Sequence, residues 1–309
     1  MEFVHKSVLL AECIESLNID PNGIYVDCTS GGGGHSAEIL KRLDCGRLIC
    51  VDKDVDALSV CKARFSDSEK VLFAHSDFKN VNEVLNRLGV DKVDGFLADL
   101  GVSSYQIDNP ERGFSYMASD APLDMRMDKT QSFTAKDVVN TYDEHQLFTI
   151  IRDYGEENFA KSIAKNIVLA RKNRPLETCG QLVEVIDKSI PQSCKKAGHP
   201  AKRTFQALRI EVNKELDGLD KALRAMCDRL NSNGRIAVIT FHSLEDRIVK
   251  HCFADLATDC ICPPSLPVCV CGHRAKGRLV NKKPILPNDD ELADNSRSKS
   301  AKLRVFERL

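Results

Sequence analysis

Six consecutive residues, Gly31-Gly32-Gly33-Gly34-His35-Ser36, follow a short apolar run, Ile24-Tyr25-Val26-Asp27-Cys28, in a chain of 309 residues. Glycines at 31, 33 and 34 permit positive φ and let the backbone approach a ligand closely. Between a strand and a helix, such a turn either cradles the polar end of a nucleotide-type ligand or is only a tight reversal. A dinucleotide fingerprint needs a third glycine where Ser36 stands, so that reading fails by one position. Two carboxylates favour a pocket. Asp52 closes the next apolar run, Arg47–Asp52, 19 residues after Gly33, where a carboxylate accepts both ribose hydroxyls of an adenosine and disfavours a 2′-phosphate. Asp99 closes a later run, Val93–Asp99, at the strand end where open α/β sheets bind ligands. Phe78 either lies against an adenine ring or belongs to the core.

Only a parallel sheet brings these positions together. Strands are expected at 24–28, 47–52, 70–75 and 93–99, with helices at 36–43, 55–65 and 81–88 between them. Continuous apolar strands separated by short helices indicate a sheet covered on both faces. From Gly101 to Thr204 the rhythm stops. Residues 108–134 have no sustained period, while Phe159, Ile163 and Ile167, then Leu182, Val185 and Ile186, recur at helical spacing. One long helix is expected from Phe205 to Leu230, then a turn at Asn231–Gly234 and a strand at 235–241. Ser243 is expected to cap the next helix, with Asp246 completing a capping box. The polar tail, 281–300, is expected as loop before a last strand at Lys302–Phe306.

Composition is that of a soluble globular protein, with 42% hydrophobic and 29% charged residues. No apolar run approaches the ~18 residues that span a bilayer, and Met1–Lys6 has no signal-peptide pattern. A cytoplasmic protein with no membrane association is expected. Residues 1–150 carry 15 Lys+Arg against 25 Asp+Glu, and residues 151–309 carry 29 against 20. An acidic half joined to a basic half permits a polyanion to dock on one face; ordinary solvated faces are the alternative. Of 13 cysteines, Cys260, Cys262, Cys269 and Cys271 fall in one twelve-residue window with Pro263, Pro264 and Pro267. Four thiolates can hold a structural zinc tetrahedrally, although zinc ribbons usually use C-x-x-C pairs; free thiols in a loop are the alternative.

The spacing Asp27-x-Thr29-x-Gly31-x-Gly33 resembles the first motif of class I (Rossmann-like) methyltransferases, whose turn holds the amino-acid end of S-adenosylmethionine. Longer words carry a more specific resemblance, nearly end to end. They include His5-Lys6-Ser7-Val8-Leu9-Leu10, Gly33-Gly34-His35-Ser36, Asp99-Leu100-Gly101-Val102-Ser103-Ser104, and Pro122-Leu123-Asp124-Met125-Arg126-Met127-Asp128. Others are Tyr154-Gly155-Glu156-Glu157, Arg203-Thr204-Phe205-Gln206, Phe241-His242-Ser243-Leu244-Glu245-Asp246 and Asn295-Ser296-Arg297-Ser298. Together they closely resemble the RsmH (MraW) family, bacterial methyltransferases acting on N4 of a cytidine in the decoding region of 16S ribosomal RNA.

The resemblance implies an α/β methyltransferase domain, 1–106 and 205–309, with an inserted mainly helical substrate-recognition domain, 107–204. It implies cofactor contacts at Gly33, Gly34, His35, Asp52, Phe78, Asp99 and Gln106. The implied partner is 16S rRNA within the small ribosomal subunit, with a homodimer left open. Amine methyltransferases often carry an Asp/Asn/Ser-Pro-Pro-aromatic motif after the fourth strand; here Asp99-Leu100-Gly101 stands there without either proline. Asp99 is therefore expected to orient cofactor and target amine together, or the cofactor alone, with Ser103 or Ser104 as a nearby polar contact. Lys195, Lys196, His199, Lys202, Arg203 and Arg209 form a basic strip suited to phosphates, interleaved with Glu211 and Glu215. His242 is expected to face the RNA. A ribosome-assembly binding protein that keeps the cofactor site as a sensor, and a methyltransferase of DNA or protein, are the competing readings.

Overall fold

The computed structural model describes residues 7–195, 198–263, 266 and 268–309. His5, Lys6, Lys196, Pro264 and Pro267 lie outside the described residues. Backbone contacts divide the chain into two compact units: residues up to Gly101 together with Gly218–Leu309, and Val102–Asp217. The expected insertion, 107–204, falls inside the second.

The first unit begins with helix α1 (Leu10–Leu17) and alternates β1 (Ile24–Asp27), α2 (Gly34–Leu40), β2 (Arg47–Asp52), α3 (Val55–Arg64), β3 (Val71–His75), α4 (Val81–Arg87) and β4 (Val93–Asp99). Each turn sits where local chemistry stops one element and starts the next. Asp54 caps α3 by accepting the Asp56 N–H at 3.0 Å, and Asp77 caps the 3₁₀ turn Phe78–Asn80 by accepting the Lys79 N–H at 2.9 Å.

The second unit is helical: α5 (Ser104–Asp108), α6 (Ala135–Thr141), α7 (Glu144–Asp153), α8 (Ala160–Asn173), α9 (Cys179–Ser189) and α10 (Lys202–Asn213). Its core gathers Leu147, Ile151, Ile163, Ile167, Leu182, Ile186 and Phe205. The aperiodic stretch before α6 is held by polar side chains. Asn213 donates to the Met125 carbonyl and accepts the Met127 N–H, both at 2.7 Å. Buried Arg112 donates to the carbonyls of Arg126 and Met127 at 2.9 and 3.0 Å. Arg126 closes a two-pronged pair with Asp124 at 2.9 and 2.7 Å. These bonds satisfy backbone that forms no regular ladder, which explains why hydrophobic period could not describe the segment.

The chain returns to the first unit through α11 (Leu219–Asp228), β5 (Leu230–Thr240), α12 (Ser243–Leu256), β6 (Gly277–Leu279), α13 (Asp289–Asp294) and β7 (Lys302–Arg308). The single helix expected over 205–230 is two helices. Lys214 at φ 49° ends α10 and Gly218 at φ 71° starts α11, while the apolar spacing through Leu216 and Leu219 runs on and conceals the break. The expected turn at Asn231–Gly234 is an irregularity inside β5, where Val93 pairs with Leu230 but Gly95 pairs with Arg235. Ser243 does not cap α12: His242 is the flanking residue, and Asp246 instead holds Arg304 at 2.6 Å. The polar tail is not all loop. Asn288 accepts the Glu291 N–H at 2.8 Å, and acidic residues in its first turn stabilise α13.

The sheet runs β3-β2-β1-β4-β5-β7-β6. β1 to β5 are parallel, and β7 is antiparallel to both β5 and β6. Val26, Ile49, Phe96 and Val238 belong to one apolar cluster, and Tyr25, Leu48, Leu97 and Ile239 to another, so the sheet is buried on both faces. With strand order reversing beside β1, the register brings Asp27, Asp52 and Asp99 to one carboxyl edge.

Candidate active site

The glycine turn leaves β1 and enters α2 through Gly33, at φ 75°. A side chain there would be strained by that φ, and its Cβ would stand 3.0 Å from the Phe65 ring. At Gly34 a Cβ would lie 1.9 Å from Ser7 Oγ. The turn is braced from outside: Arg64 donates to the Gly32 carbonyl at 2.9 Å and the Cys61 thiol to the Gly31 carbonyl at 3.2 Å. From inside, Asp52 accepts the Gly31 N–H through Oδ2 and the Asp54 N–H through Oδ1, both at 2.8 Å. Each oxygen keeps acceptor capacity for a further donor. Burial pushes the Asp52 carboxyl above its ordinary range.

Asp27, Thr29 and Ser36, to which sequence alone assigns no role, join the strand ends. Asp27 Oδ2 accepts the Ser36 hydroxyl at 2.6 Å, and its Oδ1 accepts the Thr29 N–H at 3.2 Å. Burial raises the Asp27 carboxyl to about 6, against these hydrogen bonds. Thr29 Oγ1 in turn accepts the Asp99 N–H at 2.6 Å. The legible signal was the serine standing where a dinucleotide turn has glycine.

Asp99 is the most perturbed group of the edge. Burial, then the negative charges of Asp27 and Glu245, raise its carboxyl to about 8. Among the described residues its Oδ1 is buried and has no hydrogen-bond partner, which is the condition of an acceptor awaiting a donor. Its Oδ2 lies 4.0 Å from His35 Nδ1. His35 is buried, with Nε2 3.0 Å from the Val8 carbonyl; that contact requires the proton on Nε2 and leaves Nδ1 an acceptor in the neutral ring. An adenosyl ligand with a cationic centre fits this edge, because it supplies a donor for Asp99 Oδ1 and positive charge beside the crowded carboxyls of Asp27 and Asp99. Phe78 is half-buried on the 3₁₀ turn after β3 and packs against the sheet core.

Other expected residues fall in the second unit. Ser103 caps α5, its Oγ accepting the Gln106 N–H at 3.2 Å while Gln106 Oε1 accepts the Ser103 N–H at 3.0 Å. Both therefore have a structural task, and Ser104 is the first helical residue. Lys202 and Arg203 are exposed at the start of α10. Arg209 is different: it grips Glu215 with two bonds at 2.9 and 3.0 Å. Glu211 is buried too, accepting the Tyr142 hydroxyl at 2.6 Å, so the acids of the strip do not face solvent beside its lysines. Lys195 pairs with Asp187 at 2.6 Å, and His199 stacks on Tyr116 with ring centres 4.4 Å apart. In the first unit, His242 Nε2 lies 3.1 Å from Glu245 Oε1 with both side chains nearly buried, so its ring is not presented as a free surface donor. Cys260, Cys262, Cys269 and Cys271 converge in the loop between α12 and β6, away from the glycine turn in sequence and with no part in the edge described above.

A sheet of this order, with a glycine turn after β1 and acids ending β2 and β4, defines a class I, Rossmann-like, S-adenosylmethionine-dependent methyltransferase. The model of the MraW methylase family matches residues 2–309, and the chain belongs to that family. It is 57% identical over 312 residues to a Lachnospira eligens protein named "Ribosomal RNA small subunit methyltransferase H", covering 100% of this chain and 99% of that one. It is likewise 57% identical to the Clostridioides difficile protein of the same name, over 100% of each chain. A Clostridium botulinum relative, also so named, is 56% identical over 100% of both. Among the described residues no helix is long and apolar enough to cross a membrane.

Proposed function

We propose that this protein methylates the N4 amine of a cytidine in the decoding region of 16S ribosomal RNA, acting on small-subunit particles in the cytoplasm. Full-length identity to relatives named as small-subunit rRNA methyltransferases supports the RNA class. The observation that carries the amine chemistry is Asp99, whose buried Oδ1 has no hydrogen-bond partner among the described residues.

When bound, S-adenosylmethionine supplies an electrophilic methyl group for direct displacement. The chain's own task is to position the acceptor and handle one proton. An exocyclic amine on cytosine is a weak nucleophile because its lone pair is delocalised into the ring. Asp99, accepting an N4–H, draws the amine out of conjugation and takes the proton that the methylated nitrogen loses. Thr29 fixes the Asp99 backbone at 2.6 Å, holding the strand end that carries the carboxylate, and positioning is the larger catalytic contribution. Asp52 receives the ribose hydroxyls, and Gly33 and Gly34 admit the cofactor's polar end. Gln106 adds a cofactor contact, and Ser103 or Ser104, at the start of α5, offers a polar contact. Lys202 and Arg203 bind RNA phosphates. The target base must leave its stack to reach the strand ends.

The deciding experiment incubates labelled S-adenosylmethionine with small subunits from a strain lacking this gene, followed by nucleoside mapping. Label in N4-methylcytidine at a single decoding-region position is expected. Label in another nucleoside, or in protein, would remove the substrate assignment.

A further inference from the structure

We propose that Cys260, Cys262, Cys269 and Cys271 bind one zinc ion that staples the loop between α12 and β6. The four Sγ atoms all lie within 4.8 Å of one another. Cys269 Sγ is 3.5 Å from both Cys260 Sγ and Cys271 Sγ, and Cys271 to Cys260 is 3.9 Å. Zinc with four thiolates at about 2.3 Å requires sulfurs about 3.8 Å apart around a tetrahedron. Disulfides require about 2.05 Å, and all 13 cysteines are free thiols. The set therefore has the spacing of a shared ion rather than of two crosslinks.

The pairing motif is also explained. Each C-x-C pair delivers both of its sulfurs to the cluster, in which all four Sγ atoms lie within 4.8 Å of one another. A backbone donor already faces the set: the Val270 N–H is 3.4 Å from Cys262 Sγ, the kind of second contact that orients a ligand and stabilises thiolate charge.

The loop needs such a staple. None of the described residues of 257–276 is buried, and Ile261, Val268 and Val270 are 65%, 70% and 77% exposed. Its base is closed by the Lys276 N–H to the Leu256 carbonyl at 2.8 Å, but apolar burial offers the rest of its described residues almost nothing. Coordination replaces the missing core, as it does in small metal-dependent domains. Four protein ligands fill a zinc ion's tetrahedron, so the ion has no open position and its role is structural. Binding exchanges up to four thiol protons for the ion, released to solvent, with no change of oxidation state.

The test uses full-length protein purified under reducing conditions without chelator. About one equivalent of zinc is expected, replaceable by Co2+ with the visible absorption of a tetrahedral thiolate complex. The Cys269→Ser/Cys271→Ser variant should lose the metal and become protease-sensitive within 257–276, while calorimetry shows unchanged S-adenosylmethionine binding. Cys45→Ser/Cys194→Ser, at the exposed cysteines outside the loop, should keep it. Less than about a tenth of an equivalent with no Co2+ spectrum, iron and sulfide in place of zinc, disulfides by mass, or metal retained in the first variant would each overturn the assignment.

Discussion

The Ser36 hydroxyl donates to Asp27 Oδ2 at 2.6 Å, tying the first turn of α2 to the end of β1 underneath the glycine turn. A dinucleotide-binding turn uses glycine at that place to let helix and strand pack closely. Here a hydroxyl occupies it and satisfies a buried carboxylate, which also accepts the Thr29 N–H. The missing third glycine is thus a hydrogen-bonded connection.

Replacing Ser36 with alanine leaves Asp27 Oδ2 buried with its strongest neighbour gone. A loss of about 1–3 kcal/mol is expected, the cost of an unsatisfied buried acceptor. Urea unfolding measures it. A Ser36→Ala protein as stable as wild type, with unchanged S-adenosylmethionine affinity, would show that the bond does not support the turn.

Gly34 gives a sharper steric test. Its Cβ would meet Ser7 Oγ at 1.9 Å and Ser7 Cβ at 3.3 Å. Gly34→Ala should destabilise the protein by about 1–3 kcal/mol, the usual range for overpacking. Ser7→Ala removes the nearer atom, so the double variant should recover most of the loss. Thermal unfolding of the four proteins closes the cycle, and purely additive losses would place the clash elsewhere.

How much of this was legible follows from what each signal measures. Asp52 and Asp99 were found because they end apolar runs, and a parallel sheet carries such ends to one edge. Thr29 and Asp27 lay in the same motif, but their partners are distant in sequence or set by a single side-chain rotamer, which spacing does not report. The break at Lys214 was hidden for a different reason: hydrophobic period is blind to one residue at φ 49° when the apolar stripe continues beyond it. Ser243 fits a cap by type, yet Asp246 is drawn to Arg304, 58 residues away, and local capping gives way to a nonlocal ion pair. The basic strip read as one face because charge alone was visible; packing divides it into exposed Lys202 and Arg203 and committed Arg209.

That division is itself testable. Lys202→Ala/Arg203→Ala should weaken RNA binding and reduce the slope of log affinity against log salt by about 1–2, as two phosphate contacts are lost. Arg209→Ala should behave otherwise. It strands Glu215, whose side chain is only 6% exposed, and should cost about 3–5 kcal/mol of stability. Filter binding across salt concentrations, paired with urea unfolding, separates the two. If Arg209→Ala lowered the salt slope and left stability intact, the ion pair would be open to RNA after all.

Asp99 sets the pH behaviour of the protein without its cofactor. An Asp carboxyl near 3.9 in the unfolded chain stands at about 8 in the folded one. Between those values the folded state holds the extra proton, so the Asp99 contribution to stability is fully present below about pH 4 and is lost as pH rises through 8. Asp27, raised to about 6, adds to the earlier part of that decline. Asp99→Asn should flatten the part between pH 6 and 8 in thermal unfolding. A cationic ligand favours the ionised carboxylate, so S-adenosylmethionine affinity should rise with pH across the same window in wild type and stay level in Asp99→Asn. The rate of transfer separates the two roles of the residue. If Asp99→Asn, saturated with cofactor, transferred methyl at the wild-type rate, Asp99 would serve the cofactor alone. A loss of about 10²–10⁴-fold, typical of removing a positioned base, is the outcome expected of a carboxylate that also holds the amine.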